Sequence, residues 1–141
     1  MKKINFVNNS EPYLNAENLN QMQNNMEDVT QRDIVTDGTP VKCGYKIDGK
    51  DVYVKRINFG ALPNNTNIAK PTGIDLTTKS IIKIEGYCKH DSTSIGFPLP
   101  FAHASNLSYS IMVNIDTNGN IVVTSASDRS NYNGWFNIYY I

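Results

Sequence analysis

The pair Asp48-Gly49 constrains this chain more than any other two residues in it. Both tolerate the left-handed backbone that a two-residue type I′ turn demands, and the segments around them, VKCGYKI and KDVYVKRINF, alternate at the two-residue period of a strand. A hairpin follows, and with it a register. If Ile47 pairs with Lys50, then Tyr45 faces Val52 and Cys43 faces Val54. Val41, Cys43, Tyr45, Ile47, Val52 and Val54 then share one face, expected to be the core, with Lys42 and Lys46 on the other. Beyond Lys55 the alternation slips: Ile57 and Phe59 occupy the lysine face, while Arg56 and Asn58 point toward the expected core. A bulge, or burial of the second face against another subunit, accounts for the slip.

The strand period persists to the end of the chain. GALPNNTN reads as a turn, with Pro63 presetting one dihedral and Asn64 and Asn65 tolerating left-handed backbone. In KSIIKIEGYCK, Ile82, Ile84, Gly86 and Cys88 fall on one side and Lys83 and Glu85 on the other. From Lys89 to Ser108, punctuated by Gly96, Pro98 and Pro100, the chain reads as a long irregular connection, a kind more often functional than accidental. Tyr109, Ile111, Val113 and Ile115 resume the alternation, DTNGN turns around Asn118-Gly119, and Ile121 to Ser125 returns. In the terminal GWFNIYYI, Phe136, Ile138 and Tyr140 form one face and Trp135, Asn137, Tyr139 and Ile141 the other. Five or more antiparallel strands with no helix after Asp37 imply a mainly β fold, an antiparallel β-sandwich.

Ahead of that head, EPYLNAENLNQMQNNMED reads as a short α-helix with Asn15 as N-cap and Leu14 and Leu19 as a hydrophobic staple. Its apolar residues Leu19, Met22, Met26 and Val29 step by three, four and three, the narrow a/d seam of a coiled coil. Asn and Gln supply little helix propensity, so partner helices are expected to hold it. The competing reading is one amphipathic helix lying on its own β domain. Asp37, Gly38 and Pro40 stop the helix and turn the chain, which divides it into an attachment arm and helix at residues 1–37 and a β-sandwich head at residues 38–141.

Thirteen basic residues balance thirteen acidic ones, so the chain lacks the electrostatic footprint of a nucleic-acid or anionic-membrane binder. No apolar run is long enough for a signal peptide or a membrane span, which points to synthesis and assembly in the cytoplasm. Two cysteines far apart, Cys43 and Cys88, are expected to be buried free thiols.

Catalytic and metal constellations are sparse. His90 and Asp91 are neighbours that point opposite ways on an extended segment, His103 lies apart, and no nucleophile elbow, phosphate loop or dinucleotide fingerprint is present. Asp51, Glu85 and Asp116 fall on turns or solvent-phase strand positions, not as the facing pair that a glycosidase needs. The expectation is a protein that is not an enzyme and needs no cofactor or metal. Recognition falls to Trp135, with Tyr132, Arg129 and His103 as companions, because aromatic faces stack on sugars and planar groups bond their hydroxyls. A terminal strand packed on both sides, one against a neighbouring subunit, would show the same pattern.

Taken in order, INFVNNSEPYLNAENLNQMQNNMED, YKIDGKDVYVKRINFGALPNNT and GNIVVTSASDRSNYNGWFNIYY resemble the structural fibre proteins of bacteriophages, of the short tail-fibre, head-fibre and receptor-binding type. The resemblance spans nearly the whole chain and rests on the combination, not on one motif. It implies a virion protein: a homotrimer joined to other virion proteins through its N-terminal segment, with a C-terminal β head that meets host cell-surface glycan. Two departures stand out. The terminal strand of such proteins usually runs on with Thr and Lys, and no long shaft separates helix from head here. A capsid, collar or tail decoration without receptor binding therefore stays open beside the adhesin.

Overall fold

In a computed structural model, the chain divides into two units, Met1–Ile34 and Val35–Ile141, and the structure describes residues 20, 21 and 37–141. The seam of Leu19, Met22, Met26 and Val29 lies outside the described residues. The second unit is mainly β, with two antiparallel sheets. Its strands are β1 (Val41–Ile47), β2 (Lys50–Ala61), β3 (Asn64–Pro71), β4 (Ile81–His90), β5 (Gly96–Leu99), β6 (Ile111–Ile115), β7 (Asn120–Asp128) and β8 (Tyr132–Tyr140). The larger sheet runs β1-β2-β8-β4-β5 and the smaller β3-β7-β6. The C-terminal strand is therefore central, hydrogen-bonded to β2 on one side and β4 on the other.

The Asp48-Gly49 turn forms as the sequence requires: φ is 50° at Asp48 and 75° at Gly49, and Ile47 pairs with Lys50. The expected register holds through Lys46 opposite Asp51 and then fails. Between Lys42 and Lys46 β1 bulges, with Gly44 at φ 80°, so that Val41 and not Cys43 faces Val54. A bulge shifts every residue beyond it, and nothing in a local alternation announces one.

The location of the core also corrects the sequence reading. Ile57 and Phe59 on β2, Phe136, Ile138 and Tyr140 on β8, Cys88 on β4, Leu99 on β5, Ile111 on β6, and Ile121 and Val123 on β7 belong to one buried cluster drawn from both sheets. Val52 and Val54 are buried at 0% and 5% exposure, yet they lie outside that cluster, on the opposite face of β2. Strand β2 is thus buried on both faces within one chain, which explains the slip beyond Lys55 without a second subunit. On β4 a bulge between Ile81 and Lys83 brings Ile81 against the core and leaves Ile82 38% exposed, whereas Ile84 and Cys88 keep the expected phase.

Two further segments differ from the sequence reading. NNTN, read as the end of a turn, opens the edge strand β3; only Asn65, at φ 49°, keeps the left-handed backbone expected of it. The stretch from Lys89 to Ser108 carries the end of β4 and all of β5, whose Pro98 is tolerated because β5 is also an edge. The DTNGN turn is held by its own aspartate. Asp116 Oδ1 accepts N–H bonds from Asn118 and Asn120, each at 2.9 Å, and the Asn120 side-chain amide, followed by these backbone bonds, holds its carboxyl below the usual range.

Both cysteines are free. Cys88 is buried at 0% exposure with its Sγ 3.7 Å from the carbonyl oxygen of Phe97, and burial pushes its thiol up to about 11. Cys43 is only half-buried, less than its assigned phase implied, because the β1 bulge moves it out of line. Cys88 is expected to resist an aromatic disulfide reagent at pH 8 until the protein unfolds, with Cys43 reacting first. Equal rates for the two thiols in the native state would contradict this placement.

Candidate functional site

The face of the larger sheet that points away from the buried cluster carries a grid of side chains. Three rows cross β2, β8 and β4 in register: Asn58, Trp135 and Tyr87; Arg56, Asn137 and Glu85; Val54, Tyr139 and Lys83. Residues two apart on one strand share a face and lie about 7 Å apart, so Trp135 and Tyr139 lie on either side of a polar row. Strand alternation produces the grid directly, because inward Phe136, Ile138 and Tyr140 force Trp135, Asn137 and Tyr139 outward.

Within the grid the aromatic groups are partnered. Tyr87 and Trp135 meet with ring centroids 5.2 Å apart, tilted by 44°, and the Arg56 guanidinium carbon stands 5.6 Å from the Trp135 centroid. Lys83 lies 2.5 Å from Glu85 Oε1 and 5.3 Å from the Tyr139 centroid, and the Tyr139 hydroxyl donates to Glu85 Oε2 at 2.8 Å. These two donors, Lys83 first, hold the Glu85 carboxyl below its ordinary value. Burial, helped by the bond to Glu85, pushes the Tyr139 hydroxyl up to about 12. Tyr87 remains 38% exposed. Asn137 Oδ1 is buried without a hydrogen-bond partner among the described residues, a defect of about 1–3 kcal/mol that a face selected for stability alone would avoid.

Of the four residues that the sequence singles out for recognition, the structure places only Trp135 on this face. Tyr132 has the core-side phase of β8 and packs against the cluster. Its ring meets His90 at 4.9 Å and Phe97 at 5.2 Å. Arg129 lies between two tyrosines, its guanidinium carbon 5.4 Å from the Tyr109 ring centroid and 5.8 Å from that of Tyr132, and donates to the Tyr109 carbonyl oxygen at 2.9 Å. His103 meets Tyr109 at 5.3 Å, and its Nδ1 accepts the Asn106 N–H at 3.1 Å. These three form one aromatic rim through Tyr109, and Trp135 stands apart from them. Tyr132 shares the strand but has the opposite parity, so the four do not converge on one site.

Sequence reasoning missed Tyr87 and Arg56. Tyr87 stood in a recognised strand, but only the β2-β8-β4 order brings it and Arg56 beside Trp135, and that order joins segments far apart in sequence.

Among the described residues, no three His, Cys, Asp or Glu side chains gather where they could hold a metal ion, and no helix is long and apolar enough to cross a membrane. Compared with known proteins, the chain matches no family model, no curated protein and no solved structure.

Proposed function

We propose that this protein is a short bacteriophage virion appendage, a homotrimer whose N-terminal coiled-coil seam attaches it to other virion proteins and whose β-sandwich head adheres to host cell-surface glycan. The observation that carries the adhesive part is the Trp135 and Tyr87 pair, flanked by Arg56 and Asn58 on a sheet face: aromatic area next to planar donors is what a sugar ring with its hydroxyls selects. The virion and trimer parts rest on the resemblance and on the a/d spacing of Leu19, Met22, Met26 and Val29 in the sequence. The second reading is a capsid, collar or tail decoration that binds no receptor. The 48% exposure of Tyr45 and the 38% exposure of Tyr87 favour it, since exposed aromatic side chains also suit packing against a neighbouring protein.

Trp135→Ala separates the two. Loss of one stacking aromatic is expected to weaken each head for its glycan by about tenfold while the unfolding free energy from urea denaturation stays within about 1 kcal/mol of the parent. If attachment to host cells is unchanged and the variant aggregates, Trp135 is a packing residue and the decoration reading takes over. The same holds if neither host cells nor their isolated wall polysaccharide retain the intact protein.

A further inference from the structure

In each sheet a lysine stands at an inward-phase position opposite a buried isoleucine. Lys55 of β2 pairs in register with Ile138, and Lys70 of β3 pairs with Ile121; both isoleucines are at 0% exposure. The two lysines line the same cleft, about 370 Å³, together with Asp37, Asn58 and Gly73. Lys70 Nζ stands 5.4 Å from the centroid of buried Phe59. A Cβ on Gly73 would lie 2.9 Å from Lys55 Nζ and one on Gly60 would lie 3.6 Å from Lys70 Nζ, so both ammonium groups rest against residues that have no side chain. Positive φ values, 64° at Gly73 and 74° at Gly60, keep those positions glycine.

Among the described residues neither lysine forms an ion pair with a carboxylate. The one carboxylate of the cleft, on Asp37, accepts the Asn58 N–H through Oδ1 at 2.6 Å. Two ammonium groups line one open cleft, and an anion placed between them would be attracted to both. The volume is in the range of small-ligand pockets and exceeds what a bare ion requires.

We propose that this cleft is a binding site for a sugar-sized ligand bearing an oxyanion, a carboxylate or a phosphate, held by Lys55 and Lys70 with the backbone of Gly60 and Gly73 beside it. The cleft shares Asn58 with the Trp135 row, but its two lysines have the opposite strand phase, and the proposal stands whether or not that face binds glycan.

The test is an NMR titration of the full ¹⁵N-labelled chain with glucuronate and with glucose 6-phosphate, against glucose and against sodium chloride at matched ionic strength. Saturable shifts of the Gly60, Thr72 and Gly73 amides are expected with an acidic sugar and not with either control. Glucuronate alone producing them assigns a carboxylate ligand, glucose 6-phosphate alone a phosphate ligand, and both a general oxyanion site. Lys55→Met and Lys70→Met should each weaken binding by about tenfold. Shifts that chloride reproduces, or that survive in the double variant, overturn the proposal. Should the double variant not fold, Lys55→Gln alone decides: full retention of affinity overturns it and a loss of about tenfold sustains it.

Discussion

Phe136→Ala is expected to destabilise the β head by about 3–5 kcal/mol, the usual cost of removing a buried phenylalanine and leaving its cavity. Phe136 is fully buried on the central strand, edge-on to Phe59 with ring centroids 5.7 Å apart and planes at 82°. Its ring covers Gly86 on the neighbouring strand: a Cβ built there would come within 2.5 Å of Phe136 Cε1 and 2.9 Å of Leu99 Cβ. Little can collapse into the space, because strands β2 and β4 are tied on either side by the β8 ladder. Against a typical domain stability of about 5–15 kcal/mol, such a loss is large. Urea denaturation should show a lowered midpoint with an unchanged slope. The glycine offers an internal control. Gly86→Ala alone should be costly through overpacking, but in the Phe136→Ala background the added methyl enters the vacated space, so the two changes should couple favourably. A Phe136→Ala loss below about 1 kcal/mol, or strictly additive effects, would mean that this ring is not at the centre of the core.

Met22→Asp combined with Met26→Asp is expected to lower attachment to host cells by about 100- to 10,000-fold while leaving each head intact. The reasoning follows from the proposed trimer. A shallow sugar site on a sheet face binds weakly by itself, and linking three copies makes the second and third contacts intramolecular. Two carboxylates at a/d positions would bring like charges together at the seam and remove about 2 kcal/mol of apolar burial per methionine. Light scattering at micromolar concentration should then report a monomer where the parent reports a trimer, with the thermal transition of the head unchanged. A parent chain that is already monomeric at that concentration rejects the coiled coil. A monomeric variant that attaches as well as the parent rejects avidity as the basis of adhesion.

Where a single residue pair dictates backbone geometry, the sequence was sufficient. Asp48-Gly49 carries its own conformational preference, and the observed φ values of 50° and 75° require no partner to explain them. The terminal strand was equally legible, since Phe136, Ile138 and Tyr140 alternate without interruption and all three are buried. What alternation cannot say is which of two apolar faces meets the core. Val52 and Val54 on one side of β2 and Ile57 and Phe59 on the other are all buried, and only the apposition of the second sheet puts the main cluster beside the latter pair. Bulges in β1 and β4 shifted Cys43 and Ile82 from their inferred positions, because an extra residue depends on the partner strand. Strand β3 was hidden because its Asn-rich sequence faces mostly solvent along an edge, where apolar alternation is not required. The candidate site divides along the same line. Trp135 was visible as the only tryptophan on an outward phase, whereas its neighbours Tyr87 and Arg56 come from strands distant in sequence, and the separation of Tyr132 from Trp135 follows from their opposite parity on β8. Local backbone preference is encoded within a few residues; the assembly of a surface requires the order in which strands pair, and here only the tertiary structure supplied it.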